Sequence, residues 1–370
     1  VSTGEEMEKI SRILSYFELY SFYKGVFSPK HALKAFYNVL VRRPAAFPLT
    51  IDILVTDKCN LDCGMCSFGM YAAPDGTEKK GGRPELTTDE IERFLEECAA
   101  YGPVIHFGGG EPFCRGDMPL IIKRVKDSGM KCLVTTNGTM LDEKKIRHIT
   151  GCGVDGVIFS LYGDRKRHDM ITRREGSYSM ALENMEILRR LRGRKTRIYA
   201  SSVFLPENLE YLESLTEKVL EKGADGVKIE HLNFITRKEL DAIRDPEVRN
   251  SFSTFVLDEP FSPVFAEKVV RAVRYLKKKF GGVLLVKPSL SEREIKEWYT
   301  KEGVGPAGCA FTVNSAVINN RGDVVPCQFF PGMAYGNIRD KSFMRIWTDA
   351  HGDVREQVPR SVICNRCCKR

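Results

Sequence analysis

A chain of 370 residues has room for one large α/β domain plus a small appendage, or for two domains. Hydrophobic residues at 42% and charged residues at 29% describe a globular protein with a full core, and 57 Lys and Arg against 49 Asp and Glu leave a mild net charge of +8 that selects no particular anionic partner. No apolar run approaches the ~18 residues of a membrane span, and the 12 cysteines gather near the two ends of the central region instead of spreading as a disulfide framework.

Residues 1–10 carry Glu5, Glu6 and Glu8 and no uninterrupted apolar core, so a cytoplasmic protein with reduced thiols is expected. Residues 7–42 have helical spacing, with Ile10, Ile13, Leu14, Phe17, Leu19 and Tyr20 in one helix. Ala32, Leu33, Phe36, Tyr37 and Leu40 form a second, which Ser28 and Pro29 would start. Two readings stay open for this segment. Its helices pack on the main domain, or its aromatic residues and Lys24, Lys30, Lys34, Arg42 and Arg43 make a peripheral membrane contact.

From residue 50 apolar strands alternate with charged helices. Strands are predicted near 50–56, 103–107, 131–135, 155–160, 196–203 and 226–232, with helices over 87–101, 117–128, 142–150, 178–192 and 208–222. Six β-then-α units predict an α/β fold, a partial (β/α)6 TIM-like barrel with functional loops at the carboxyl ends of its strands. Residues 236–304, charged and without strand alternation, read as a helical linker, so the expected division is 1–49, 50–235, 236–304 and 305–370.

The unusual residues fall just after these strands. Cys59, Cys63 and Cys66, spaced CxxxCxxC, follow the first. Three soft thiolates on one loop suit an iron–sulfur cluster with one iron lacking a protein ligand; a zinc knuckle or a redox dithiol is the competing reading. Gly108-Gly109-Gly110-Glu111-Pro112 follows the second strand, where glycines let backbone amides approach a ligand. Asn137 follows the third strand and Ser160-Leu161-Tyr162 the fourth, while Glu230, His231 and Asn233 end the sixth. Those last residues, facing a cavity, would bind substrate or move protons; the plainer reading is satisfied core groups.

The CxxxCxxC loop followed by GGEP resembles the radical S-adenosylmethionine (SAM) enzymes. The resemblance implies that Cys59, Cys63 and Cys66 hold a [4Fe–4S] cluster whose open iron chelates SAM. It places Met65 near the adenine, Gly109, Gly110 and Glu111 at the amino group, Asn137 and Ser160 beside SAM, and Arg173 on the carboxylate, with Arg174 one register step away. Met65 stands where the family often has an aromatic residue, and Tyr162 where it usually has aspartate. Tyr162, Glu230 and His231 are the candidate catalytic residues.

At the far end, Cys309 and Cys327 are spaced Cx12Gx4C and are followed by Gly336-Asn337-Ile338, Ile346-Trp347 and Cys364-x-x-Cys367, with Cys368 adjacent. The stretch 316–327 reads as a hairpin turning at Asn320-Arg321-Gly322, which would bring its flanking cysteines together. Four thiolates suit zinc as well as a cluster. The whole pattern resembles the SPASM/Twitch extension, which implies one auxiliary [4Fe–4S] cluster on Cys309, Cys327, Cys364 and Cys367, with Cys368 as a substitute ligand. Cys98, Cys132 and Cys152 read as small core residues, and Cys114 is unassigned. The family implies reductive cleavage of SAM to a 5′-deoxyadenosyl radical, hydrogen abstraction from a small-molecule or peptide substrate, and electron uptake by the auxiliary cluster. It also implies flavodoxin or ferredoxin as electron donor and no nucleic acid. A lipid-modifying enzyme or a non-catalytic metal scaffold are the alternatives.

Overall fold

The computed structural model describes residues 18–41, 45–66, 83–244, 249, 254–302, 309, 311–350 and 362–367. The predicted first helix lies mostly outside them; residues 18–22 are helical, and the second helix, α1 (Pro29–Val41), starts at the expected proline.

The six predicted strands and the five predicted helices between them are all present, with one further helix after the fourth strand. They run β1 (Thr50–Leu54), α2 (Thr88–Ala99), β2 (Val104–Gly108), α3 (Met118–Asp127), β3 (Lys131–Thr136), α4 (Glu143–Gly151), β4 (Gly156–Ser160), α5 (Arg165–Thr172), α6 (Ser177–Leu191), β5 (Arg197–Val203), α7 (Leu212–Glu221) and β6 (Gly226–Glu230). Local chemistry sets the helix starts. Thr87 and Glu90 form a capping box before α2, and the carboxylates of Asp142 and Asp164 accept amides at the starts of α4 and α5. Strands β1 to β6 pair in sequence order, all parallel, so each inward residue shares one lumen.

The sheet continues past residue 235, which corrects the expectation of a purely helical linker. After β7 (Phe234–Thr236), α8 (Arg237–Asp241), β8 (Phe255–Leu257) and α9 (Pro263–Phe280), strand β9 (Leu284–Lys287) pairs parallel with β6, and α10 (Glu292–Thr300) follows. Leu284, Leu285 and Val286 are a short apolar run beside a lysine-rich helix end, and their strand character comes from the β6 edge they cover. The carboxyl-terminal hairpin is joined to the same sheet. Helix α11 (Phe311–Asn314) leads into β10 (Ser315–Ile318), which pairs parallel with β1 and antiparallel with β11 (Asp323–Val325), and β12 (Gly336–Asn337) adds to β11. Eight strands, β10, β1 to β6 and β9, are therefore parallel, and the ten-stranded sheet ends at β9 on one side and at the antiparallel β11 and β12 on the other, leaving the barrel open.

Two acidic residues close the amino-terminal end of the sheet. Asp155, before β4, accepts the Cys132 amide at 2.9 Å and pairs with Lys131 at 2.7 Å and with Lys126; Asp225, before β6, accepts the Ile198 amide at 2.8 Å and pairs with Arg192 and Arg197. They sit in the matching segments Gly153-Val-Asp-Gly-Val157 and Gly223-Ala-Asp-Gly-Val227. Helix α12 (Phe343–Asp349) buries Phe343, Ile346 and Trp347 against the core, and the Trp347 indole donates to the Ala45 carbonyl at 2.9 Å. The last element is α13 (Val362–Asn365).

Candidate active site and cluster sites

The cysteine loop leaves β1 and is held on three sides. On the first, the amides of Gly110 and Glu111 donate to the carbonyls of Thr56 and Lys58, each at 2.8 Å. A Cβ on Gly110 would stand 2.2 Å from the Lys58 carbonyl oxygen, and Gly109, at φ 118°, would place one 2.6 Å from the Thr56 oxygen. No other residue type permits this docking. On the second side, the amides of Asp62 and Gly64 donate to Thr172 and Ile171 at the end of α5. On the third, Asn137 Nδ2 donates to Asn60 Oδ1 at 2.9 Å and Asn60 Nδ2 to Thr139 Oγ1 at 2.8 Å.

These contacts place the residues expected at a cofactor around Cys59, Cys63 and Cys66. Asn137 Nδ2 approaches Cys59 Sγ at 3.9 Å, and Leu61 donates its amide to the same sulfur at 3.5 Å. Arg173, in the left-handed conformation at φ 54°, pairs with the exposed Asp62 at 2.8 Å, while Arg174 donates to the Asn60 carbonyl at 3.3 Å. Both registers of the arginine expectation thus land on the loop. Met65 is half-buried against the main core. Glu111, which the resemblance puts at the amino group of SAM, is buried, and its carboxylate accepts from Asn137 N at 2.7 Å, Thr136 Oγ1 at 2.8 Å and Phe113 N at 3.1 Å. Burial raises it to about 6 despite those bonds, so it braces the GGEP turn against β3.

Burial also pushes the Cys59 thiol up to about 11 and Cys63 up to about 12, with the neighbouring thiols and, respectively, Glu111 and Asp62 adding to the shift. Such thiols give up their protons to a metal rather than to water. Among the described residues every cysteine is a free thiol, and no group of three or more His, Cys, Asp or Glu gathers closely enough to hold a single metal ion. Three thiols on one loop that feel one another's charge are the donor set an iron–sulfur cluster takes.

Tyr162 follows β4 and packs against the main core. Its phenol is raised by burial above all, then by Cys63 and Cys66, with Glu230 pushing the same way and a hydrogen bond to Ser160 opposing. Sequence reasoning missed what supports it: His168 accepts the Tyr162 amide on Nδ1 at 3.1 Å, and the two rings stack at 5.7 Å and 15°. Burial lowers His168 to about 4, so it stays neutral, with its proton on Nε2.

A cavity of about 200 Å³ lies inside the barrel, between Asp52, His106, Lys228, Glu230 and Lys287 of the strands, Phe311 of α11, and Tyr23, Phe27 and His31 of the segment before β1. His106 bonds Asp52 at 3.0 Å and Thr135 at 2.8 Å, and Lys228 pairs with Glu230 at 3.2 Å. His231 corrects the expectation that the polar end of β6 faces this space as a unit. Side chains alternate along a strand, so Lys228 and Glu230 point in while His231 points out, into Phe204, Trp298 and Tyr299. Its Nδ1 bonds the Tyr299 hydroxyl at 3.0 Å, and burial lowers it to about 3.

At the second cysteine group, Cys327, Cys364 and Cys367 share one apolar cluster with Ile235 of β7 and Phe311 of α11. Burial raises Cys327, and after it the charges of Cys309 and Cys364. Cys309 and Cys364 therefore lie near Cys327, and Cys367 packs in the same cluster; Cys368 lies outside the described residues. Phe311 belongs both to this cluster and to the lumen wall.

A profile described as the radical SAM superfamily matches residues 53–219, and one described as an iron–sulfur cluster-binding domain, SPASM, matches residues 309–368. The chain belongs to the radical SAM superfamily. Within it, the chain is an enzyme carrying a SPASM domain, which implies SAM, a [4Fe–4S] cluster and auxiliary iron–sulfur chemistry. It is 28% identical over 312 residues to an AdoMet-dependent heme synthase of Methanosarcina barkeri, covering 82% of this chain and 83% of that protein. It is 24% identical over 332 residues to a PqqA peptide cyclase of Xanthomonas campestris, covering 87% and 80%. Among solved structures, SuiB of Streptococcus suis bound to precursor peptide SuiA matches with a TM-score of 0.61 at 16% identity, over 92% of this chain and 75% of that one. Native anSMEcpe with bound AdoMet matches at 0.59 and 15%, over 84% and 83%. These two likenesses are of fold. No helix among the described residues is long and apolar enough to cross a membrane.

Proposed function

We propose that this enzyme oxidises a small molecule, or one side chain of a peptide, held in the barrel lumen between two clusters. In this reading residues 50–235 are the radical core and 305–370 the auxiliary domain. Cys59, Cys63 and Cys66 hold the SAM-binding cluster, and Cys309, Cys327, Cys364 and Cys367 an auxiliary one that takes up the electron left on the substrate. When bound, the reduced cluster supplies the electron that splits SAM into methionine and a 5′-deoxyadenosyl radical.

The observation that carries this reading is the cavity. It meets Glu230, whose charge reaches Tyr162 beside the cysteine loop, and Phe311, which packs with the second cysteine group. The chain's own groups then have definable tasks: Gly109, Gly110, Asn137, Ser160, Met65 and Arg173 or Arg174 orient SAM, while Tyr162 and Glu230 hold and move protons at the lumen mouth. About 200 Å³ is below the roughly 300–1,000 Å³ that encloses a drug-sized ligand, which favours a small metabolite or a single side chain over a large ring. Anaerobic reconstitution with dithionite and SAM tests the proposal. Cys63→Ala should abolish 5′-deoxyadenosine, while Cys327→Ala should keep some cleavage and lose substrate oxidation. Unchanged iron content in both variants sinks the assignment.

A second reading, a lipid-linked substrate, rests on α1. Leu33, Tyr37 and Leu40 are exposed at 69%, 59% and 47% on a face that also carries Lys30 and Lys34. Vesicles rich in anionic lipid should retain the protein at low salt, and Leu33→Asp with Tyr37→Asp should release it. No binding by the parent protein removes this reading.

A further inference from the structure

Between the last two predicted cluster ligands stands an arginine with no exposed surface. Arg366 is 0% accessible and Glu239, its partner, 6%. Arg366 Nη1 donates to the two Glu239 oxygens at 2.8 and 3.1 Å, Nε donates to the Trp298 carbonyl at 2.8 Å, and Nη2 donates to the Lys301 carbonyl. The guanidinium lies 4.5 Å from the centroid of the Phe234 ring, and the Arg366 carbonyl accepts from Asn233 Nδ2 at 2.6 Å. Glu239 in turn accepts the Thr236 amide at 2.8 Å as the capping box of α8.

Burying a guanidinium this deeply is costly unless each donor finds an acceptor, and breaking such a pair leaves an unbalanced charge. A chain that needed only to bury a C-x-x-C loop would place an apolar residue here. We infer that Arg366 and Glu239 position the auxiliary cluster and set its reduction potential. The guanidinium ties the Cys364–Cys367 loop to the residues following β6, to α8 and to the end of α10, which fixes the thiols relative to the lumen. The paired charges also hold the net field at the cluster near zero. Reduction adds a negative charge to an already anionic cluster, so any unbalanced neighbour moves the potential in a direction fixed by its sign.

This rests on the proposed four-cysteine ligation, and the test separates the two. In a Cys59→Ala, Cys63→Ala, Cys66→Ala parent only the auxiliary cluster remains, and its iron content and its potential are read by anaerobic titration with EPR detection. Glu239→Gln keeps the shape and leaves the cation unbalanced, so the potential should rise. Arg366→Gln leaves the anion, so it should fall, and the double variant should return toward the parent. A packing role alone does not produce shifts of opposite sign that cancel. If Arg366→Gln takes up no iron, Glu239→Gln decides alone: an unmoved potential, a downward shift or loss of iron in that variant overturns the inference. A parent without iron overturns the ligation itself and this inference with it.

Discussion

Glu230 and His231 are adjacent in sequence and opposite in surroundings, and the alternation of a strand accounts for it. Glu230 reaches the lumen; His231 is a neutral core group whose protonation burial disfavours. Its folded value, about 3, lies below the usual 6.5, so the unfolded chain binds the extra proton between those values. Stability supplied by the neutral ring is therefore complete above about pH 6.5 and falls as pH drops toward 3, by up to about 1.4 kcal/mol per pH unit. His168 loses its share over the shorter span from 6.5 to about 4. Replacing His231 and Tyr299 together by Phe removes both polar partners, and urea midpoints measured from pH 7.5 to 4 should show a shallower acid slope than the parent. An identical slope contradicts the assignment. At this scale the cysteines and glycines were legible in the sequence, because spacing and chain reversal are local properties. Arg366 was not: a charged residue between two cysteines reads as solvated until its acceptors, from Phe234 to Lys301, are brought to it by the fold.

The carboxyl-terminal hairpin was also readable, from its glycine turn, whereas its seat was not. Nothing local to Ser315–Ile318 specifies parallel pairing with Thr50–Leu54, and nothing local to Leu284–Lys287 specifies the β6 edge. Such pairings are chosen by what each edge leaves unsatisfied. The seat itself is held by α2. Arg339 bonds the Glu90 carboxylate and holds it well below the usual carboxylate range, at about 2, chiefly through that hydrogen bond. Two helical turns later, Glu97 accepts the amides of Phe343 and Met344 at 3.0 and 2.8 Å, capping α12 from another helix. Glu97→Ala leaves both amides without that acceptor and should cost about 1 kcal/mol, the usual worth of an N-cap. The amides of Phe343 and Met344 should exchange faster in hydrogen-exchange measurements while those of β2 to β5 keep their protection. Unchanged protection at Phe343 would show that the cap contributes nothing to docking.

On the scale of the whole molecule, an open barrel carries one cysteine group at the carboxyl ends of its strands and a second against β7. The cysteine loop is fixed to the carboxyl ends of β1, β2 and β3 and to the helix after β4, so the first cysteine group is part of the barrel rim. The second is fixed to β7 and α13 and shares Phe311 with the lumen wall. In the proposed reading a substrate between them occupies the cavity, and that placement is testable without knowing the substrate. Ile158 is buried in the wall beside Tyr23 and Tyr199, and Trp there fills much of about 200 Å³. Glu230→Gln alters the mouth without adding bulk. Small molecules from cells grown in deuterated medium serve as the probe: hydrogen abstraction from any of them transfers deuterium to 5′-deoxyadenosine. The parent enzyme should yield labelled nucleoside, because the radical meets a lumen-bound substrate. Ile158→Trp should yield about as much nucleoside with little label, since SAM cleavage at the rim continues while the lumen is closed. Glu230→Gln should lower the labelled fraction by about tenfold or more if its carboxylate acts on the substrate. Full labelling in Ile158→Trp would place the substrate outside the barrel, at the rim alone, and the two cysteine groups would then need no shared interior.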